Sequence, residues 1–94
     1  MRLIHAHDKA TPFFMYFALH NTHSPFQAPH RFQALYEHQS SWPLEQTFNA
    51  MVSVVDESVG NVTKALKSTG MWDNSVVVWM TDKCVQALPP NAAA

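Results

Sequence analysis

Glycine is scarce in this sequence. Only 2 of the 94 residues are glycine, whereas average usage of about 7% corresponds to roughly 6 or 7 in a chain of this length. Glycine supplies the tight turns and close backbone approaches that many enzyme active sites need. The shortage therefore argues against a complete catalytic domain, and the length itself allows one small domain.

Cysteine and net charge are also nearly absent. Cys84 is the single cysteine, which excludes a disulfide framework within the chain. Six lysines and arginines stand against seven aspartates and glutamates, and the net charge is −1. Because nucleic-acid binding surfaces are strongly basic, we expect no nucleic-acid partner.

Long hydrophobic runs are missing as well. The longest, Phe13 to Leu19, has seven residues, and a helix that spans a bilayer needs about 20. We therefore expect no membrane span. Histidines and an asparagine follow this run in place of a small-residue cleavage site, so we expect no signal peptide in this chain.

Two short apolar runs predict β-strands. The first is residues 13–19, and the second is residues 75–81, which read SVVVWMT. Uninterrupted runs rich in aromatic and β-branched residues are typical of strands that are buried on both faces, as in a parallel sheet.

A long amphipathic helix is predicted between these runs, over Pro43–Ser68. Pro43 suits a first helical turn, and Gly70 suits a C-terminal cap. Gly60 interrupts the interior at a cost of about 1 kcal/mol relative to alanine, which predicts close packing against a neighbour. The apolar positions follow the helical period: Phe48, Met51, Val52, Val55, Val59, Val62 and Leu66.

The order of these elements predicts an α/β fold with one parallel β-α-β crossover unit. Residues 1–11 are predicted to form a loop, residues 20–30 a second loop, and Pro29–Tyr36 a short helix. Residues 83–94 end in two prolines and three alanines around an asparagine, and we expect this tail to be disordered.

Polar residues follow both predicted strands. His23 comes after the first strand and Asp82 directly after the second. Ligands bind beyond the carboxyl ends of parallel strands, so both side chains are expected at one sheet edge. An acid/base or metal-binding pair is one interpretation. The other is that the loop histidines bond to local backbone and Asp82 caps a turn.

Other candidate sites carry weaker signals. His20 and His23 have H-x-x-H spacing, and a transition-metal site is a further hypothesis against the alternative of scattered surface histidines. Asn61 begins an Asn-Val-Thr glycosylation sequon, a triplet that is also frequent by chance. Cys84 has Lys83 beside it but no evident base, which favours a structural or incidental cysteine.

Taken together, five segments resemble the sulfatases, specifically arylsulfatases of the B type. The resemblance covers roughly residues 11–82 in the family's order. The matching segments are PFFMYFAL at 12–19, HSPFQAP at 23–29, MVSVVDESVGNVT at 51–63, LKSTGMW at 66–72 and VVVWMTD at 76–82.

The resemblance implies an alkaline-phosphatase-like α/β fold and hydrolysis of sulfate esters with a formylglycine nucleophile and a bound calcium ion. It makes His23 similar to the histidine that contacts the substrate sulfate and assists the leaving group. Asp82 is similar to a calcium ligand, and Asn61 to a glycosylated asparagine of these enzymes. A sulfated small molecule or glycan is the implied substrate, and the implied location is lysosomal or secretory.

The sequence departs from the family after Asp82. Lys83 stands where the family has a neutral oxygen ligand, and a cation there disfavours calcium. Cys84 lacks the proline and arginine of the formylglycine motif, so it is not the expected nucleophile. We therefore expect residues 1–82 to be a partial sulfatase domain, residues 83–94 to be unrelated, and the chain alone to be inactive. The alternative is a small non-catalytic α/β interaction module.

Overall fold

Helices make up the regular structure of the described part of this chain. The structure, a computed structural model, describes residues 1–39 and 41–81. It contains helix α1 over Arg2–Ala6, helix α2 over His30–Gln33, helix α3 over Pro43–Ser68, and a short 3-10 helix over Trp72–Asn74. Both α1 and α2 contact α3, which is the longest element.

Helix α3 has the predicted bounds. Pro43 lies in its first turn, where the missing amide hydrogen costs no helical hydrogen bond. Glu45 in the first turn and Lys67 in the last carry charges that complement the helix dipole. Local sequence signals at both ends therefore suffice to define this element.

Gly70 ends α3 as predicted. Its φ of 69° is the left-handed conformation that favours glycine. The amide of Gly70 donates to the Lys67 carbonyl at 3.1 Å, and the amide of Met71 donates to the Leu66 carbonyl at 2.9 Å. This pair of bonds is the Schellman arrangement, which satisfies carbonyls left open at the helix end.

The predicted α/β fold is wrong for the described residues. Residues 13–19 and 75–81 contain no β-strand, and no other described segment is a strand. Within residues 12–19 and 76–80, no backbone group bonds to the backbone of another described residue. A strand is defined by such pairing, so the predicted parallel β-α-β unit is not formed.

Side-chain burial gives the physical reason for this error. In the first segment Phe13 and Met15 pack against the core, whereas Phe14 and Tyr16 are 91% and 80% exposed. In the second segment every side chain of Val76–Met80 is at least 60% exposed. Apolar composition favours extended backbone, but burial on both faces requires covering elements, which the described residues do not provide.

The hydrophobic core is small and lies against α3. Ile4 of α1 packs with Ala65 and Leu66 near the C-terminal end of α3. Farther along, Phe32 of α2 and the α3 residues Ala50 and Met51 are buried. The core therefore holds the two short helices at separate places along α3.

Three smaller predictions are corrected. Residues 1–11 include helix α1 in place of a continuous loop, and the helix predicted over Pro29–Tyr36 is limited to His30–Gln33. An added Cβ at Gly60 would meet nothing within 4 Å, so this glycine is not a site of close packing. Among the described helices, none has the length and apolar character needed to cross a bilayer.

Candidate functional site

His23 lies in the loop that joins the first extended segment to α2. Its amide donates to the His20 carbonyl at 3.2 Å, which closes a tight turn. The His20 and His23 rings come within 5.6 Å, centroid to centroid, at a tilt of 50°. Both side chains are exposed, so the turn presents two imidazoles at the surface.

The His23 ring has a defined orientation. Its Nδ1 atom lies 2.8 Å from the Ser24 carbonyl oxygen. Because a carbonyl oxygen only accepts hydrogen bonds, Nδ1 carries the hydrogen and donates it. Nε2 is therefore the ring nitrogen that is left to contact a substrate. This is the tautomer selection by a backbone carbonyl that is common for functional histidines.

Two contacts hold this loop against α3. The Asn21 side-chain amide donates to the Met51 carbonyl of α3 at 3.2 Å, in a half-buried environment. Farther along the loop, the Phe26 and Phe48 rings meet edge to face at a centroid distance of 6.4 Å. The turn over residues 20–23, called the histidine turn below, is thereby attached to the longest helix.

An ion pair fixes the helix that follows the loop. Arg31 of α2 donates two hydrogen bonds to the Glu57 carboxylate of α3, at 2.9 and 2.8 Å. The hydrogen bond from Arg31 lowers the pKa of Glu57, and the positive charges of Arg31 and Lys64 act in the same direction. The bond to Glu57 likewise raises the pKa of Arg31. Both side chains are exposed to water.

The predicted pairing of His23 with Asp82 loses its structural basis. It depended on two parallel strands ending at one sheet edge, and the described residues contain no sheet. Asp82 lies outside the described residues, as do Lys83 and Cys84. The structure therefore places His23 and leaves the metal-binding role of Asp82 a prediction.

Metal ligands do not cluster in the described part of the chain. It contains no group of three or more His, Cys, Asp or Glu side chains placed to hold one ion. His20 and His23 come together as a pair, whereas calcium takes six to eight oxygen ligands. The described residues thus do not fit a calcium shell or a histidine-rich zinc site.

Asn61 lies on the exposed side of α3. The whole Asn-Val-Thr sequon is helical, with helix extending on both sides of it. Its side chain is accessible in the folded chain, and glycosylation at this position stays a prediction.

Comparison with known proteins connects this histidine loop to a family. Residues 1–88 match the family described as Sulfatase. The chain belongs to the sulfatase family. Mouse arylsulfatase J is 37% identical over 83 residues, which are 86% of this chain and 13% of that protein. Mouse N-acetylgalactosamine-6-sulfatase is 29% identical over 76 residues, covering 81% of this chain and 13% of that relative.

A bacterial protein is also similar to this sulfatase-family chain. The lipoteichoic acid synthase-like protein YvgJ of Bacillus subtilis is 32% identical over 71 residues, 76% of this chain and 12% of its own length. The chain thus spans about an eighth of the length of the curated relatives it matches. No solved structure matches it.

Two residues that shape this site of a sulfatase-family chain carry no signal in the sequence. Asn21 binds a carbonyl 30 positions away, and Arg31 binds a carboxylate 26 positions away. Local periodicity carries no information about pairs at such separations. Glu57 likewise carries no sequence signal for its partner, Arg31.

Proposed function

We propose that this chain carries the sulfate-contacting histidine of a sulfate ester hydrolase, and that this histidine is His23. The observation that carries the proposal is the ring orientation: Nδ1 is bound to the Ser24 carbonyl, and the side chain is exposed. Membership of the sulfatase family supports the reaction class. Within the sulfatase family, the sequence resemblance favours the arylsulfatases of the B type as the subgroup to which we assign this chain.

The chemistry assigned to His23 is hydrogen bonding and proton donation. When the sulfate ester bond breaks, the leaving oxygen takes negative charge and needs a proton. In its protonated form the His23 ring donates from Nε2 to that oxygen, while the Ser24 carbonyl holds the Nδ1 hydrogen. A donor fixed in advance reduces the reorganisation needed as charge develops.

The substrate proposal is a sulfated small molecule or glycan. Two of the relatives are named as sulfatases, an arylsulfatase and an N-acetylgalactosamine-6-sulfatase. The third is named as a lipoteichoic acid synthase-like protein. Because these names refer to different chemistries, the match alone does not select one substrate. The sulfate group is the part of the substrate that we assign to this chain.

Calcium and formylglycine belong to the proposal only through the family. We propose Asp82 as one calcium ligand, and no step of the chemistry is assigned to the ion because the described residues do not form its shell. A calcium titration followed by calorimetry tests this: equal heats for the chain and its Asp82→Asn variant would contradict it. Cys84 is not proposed as the nucleophile.

A lysosomal or secretory location is likewise a proposal. It predicts that Asn61 carries a glycan when the chain is expressed in the secretory pathway of an animal cell. A mass unchanged by glycosidase treatment, or an Asn61→Gln variant that keeps the glycan mass, would contradict the glycosylation.

The test of His23 is a titration of the purified chain with inorganic sulfate and a nitrophenyl sulfate, followed by NMR of the imidazole rings. We expect His23 signals to move with a dissociation constant of about 1 mM, the affinity of a single weak contact. The neighbouring His20 ring, 5.6 Å from the His23 ring, should respond as well, and His23→Gln should abolish the response of His20. His38→Gln, at an exposed histidine outside the turn, should preserve it. Equal responses in the two variants, or none in the unmodified chain, would refute the assignment.

A second candidate function is a non-catalytic interaction module. The exposed apolar side chains of Val76–Met80 favour it, because exposed apolar patches commonly mark contact surfaces. Both candidates predict that the chain alone is inactive, so the sulfate titration separates them: a response that depends on His23 supports the hydrolase segment, and a chain that unfolds cooperatively without any response to sulfate supports the module.

A further inference from the structure

Asn21 connects the histidine turn to α3. Its side-chain Nδ2 donates to the Met51 carbonyl oxygen at 3.2 Å. Met51 is buried within the helix, with 2% of its surface exposed. A carbonyl oxygen has two acceptor sites, so the Met51 oxygen accepts this bond in addition to its helical one. The attachment point is therefore a buried, hydrogen-bonded position within α3.

The backbone of the histidine turn connects Asn21 to His23. Asn21 follows His20, whose carbonyl accepts the amide hydrogen of His23. Asn21 thus lies inside the turn that positions the His23 backbone. The ring is then oriented by its bond to the carbonyl of the next residue, and this geometry depends on the backbone conformation at His23. Holding Asn21 in place therefore also holds the backbone geometry on which the hydrogen bond between His23 Nδ1 and the Ser24 carbonyl depends.

We propose that Asn21 is a positioning residue for His23, holding the turn on α3 so that the ring keeps the Nδ1–H tautomer and presents Nε2. This inference rests on the proposed function, because it assigns Asn21 a role in sulfate contact. It concerns a residue that touches no substrate. A structural role alone would affect stability, whereas a positioning role also changes the protonation pattern of the His23 ring.

The test compares the full chain with its Asn21→Asp variant. Aspartate has nearly the same shape, but its carboxylate accepts hydrogen bonds and cannot donate to the Met51 carbonyl. Long-range nitrogen–proton NMR spectra of the rings report the tautomer. We expect one Nδ1–H tautomer for His23 in the unmodified chain and a mixture in Asn21→Asp, with a weakened response to inorganic sulfate. Asn61→Asp, the same change at an exposed position on α3, should leave both readouts unchanged.

The outcomes separate the two proposals. If His23 keeps a single Nδ1–H tautomer in Asn21→Asp, the positioning role is overturned, whatever the chain does with sulfate. If the tautomer changes but the unmodified chain does not respond to sulfate, the orientation by Asn21 stands and the sulfate function fails. Asn21→Ala provides a second variant without the added charge. Loss of the helical circular dichroism signal in both variants would make Asn21 a structural residue and overturn the proposal.

Discussion

Glu57 and Arg31 show how a single pair of side chains adds pH dependence to this small fold. The pair joins α2 to α3 through two hydrogen bonds. The bond from Arg31 lowers the pKa of Glu57 in the folded chain. A group with a lowered folded pKa stabilises the fold above its unfolded pKa, and this contribution is lost as the pH falls through the folded pKa.

We therefore predict that Glu57→Gln lowers the melting temperature at neutral pH and has a diminishing effect in acid. The difference from the unmodified chain should shrink below pH ~4.3, the usual pKa of glutamate. It should also shrink with added salt, because both side chains are exposed and salt screens them. Thermal unfolding measured from acid to neutral pH checks this.

The matched control is Glu37→Gln, at an exposed glutamate for which the structure describes no ion pair. It should leave the acid part of the pH profile unchanged. A melting-temperature difference for Glu57→Gln that stays constant across the pH range would contradict the linkage.

The two glycines show how one residue type has opposite effects at different places in an element. Gly60 lies inside α3 with open space around it, and Gly70 lies at its end with φ of 69°. Helix interiors disfavour glycine because its unfolded backbone is especially free. The left-handed conformation favours glycine because it has no Cβ.

We predict that Gly60→Ala stabilises the chain by about 0.5–1 kcal/mol and that Gly70→Ala destabilises it by about 1–2 kcal/mol. Each variant serves as the control of the other, since both add one methyl group. Urea denaturation followed by circular dichroism measures both changes. Effects of the same sign would show that helix propensity and the Schellman cap do not determine the stability of α3.

Elements encoded locally could be predicted from the sequence, and the others could not. Pro43, the apolar period and Gly70 defined α3 and its cap correctly. The helix α1 was missed because its few residues show no periodicity, and Ile4 is buried through contacts with residues that are distant in the sequence, those of α3 among them. The strands were wrong because a strand depends on pairing partners that an apolar run does not specify.

The candidate site was partly predictable for the same reason. Family resemblance selected His23 as a candidate, but the orientation of its ring depends on the Ser24 carbonyl, and we propose that it also depends on the Asn21 bond to Met51. These contacts arise from the loop conformation and from packing on α3. Neither leaves a periodic pattern in the sequence.

At the scale of the whole molecule, more large apolar side chains of the described residues are exposed than are buried in the small core. Six apolar side chains are buried among the described residues. By comparison, the five consecutive residues Val76–Met80 are exposed and bond to no described backbone group. Trp79 reaches a shallow groove along α3 that Val52, Val55 and Val59 line, yet it is still 65% exposed. Among the described residues, none therefore pairs with the backbone of Val76–Met80.

Uncharged segments of six or seven residues with high β-propensity and no proline pair with copies of themselves. Residues 75–81 have this composition, and within them the extended backbone of Val76–Met80 is the kind of edge at which association is common. We predict that the chain associates with rising concentration in the micromolar range, where exposed apolar segments promote aggregation.

Val77→Lys should reduce this association, because stacked copies would place like charges side by side. Gln39→Lys adds the same charge at an exposed position outside the segment and should have little effect. Size-exclusion chromatography with light scattering distinguishes these outcomes. Equal association in both variants would place the contact elsewhere, and a monomer at every concentration would show that residues 75–81 do not drive self-association.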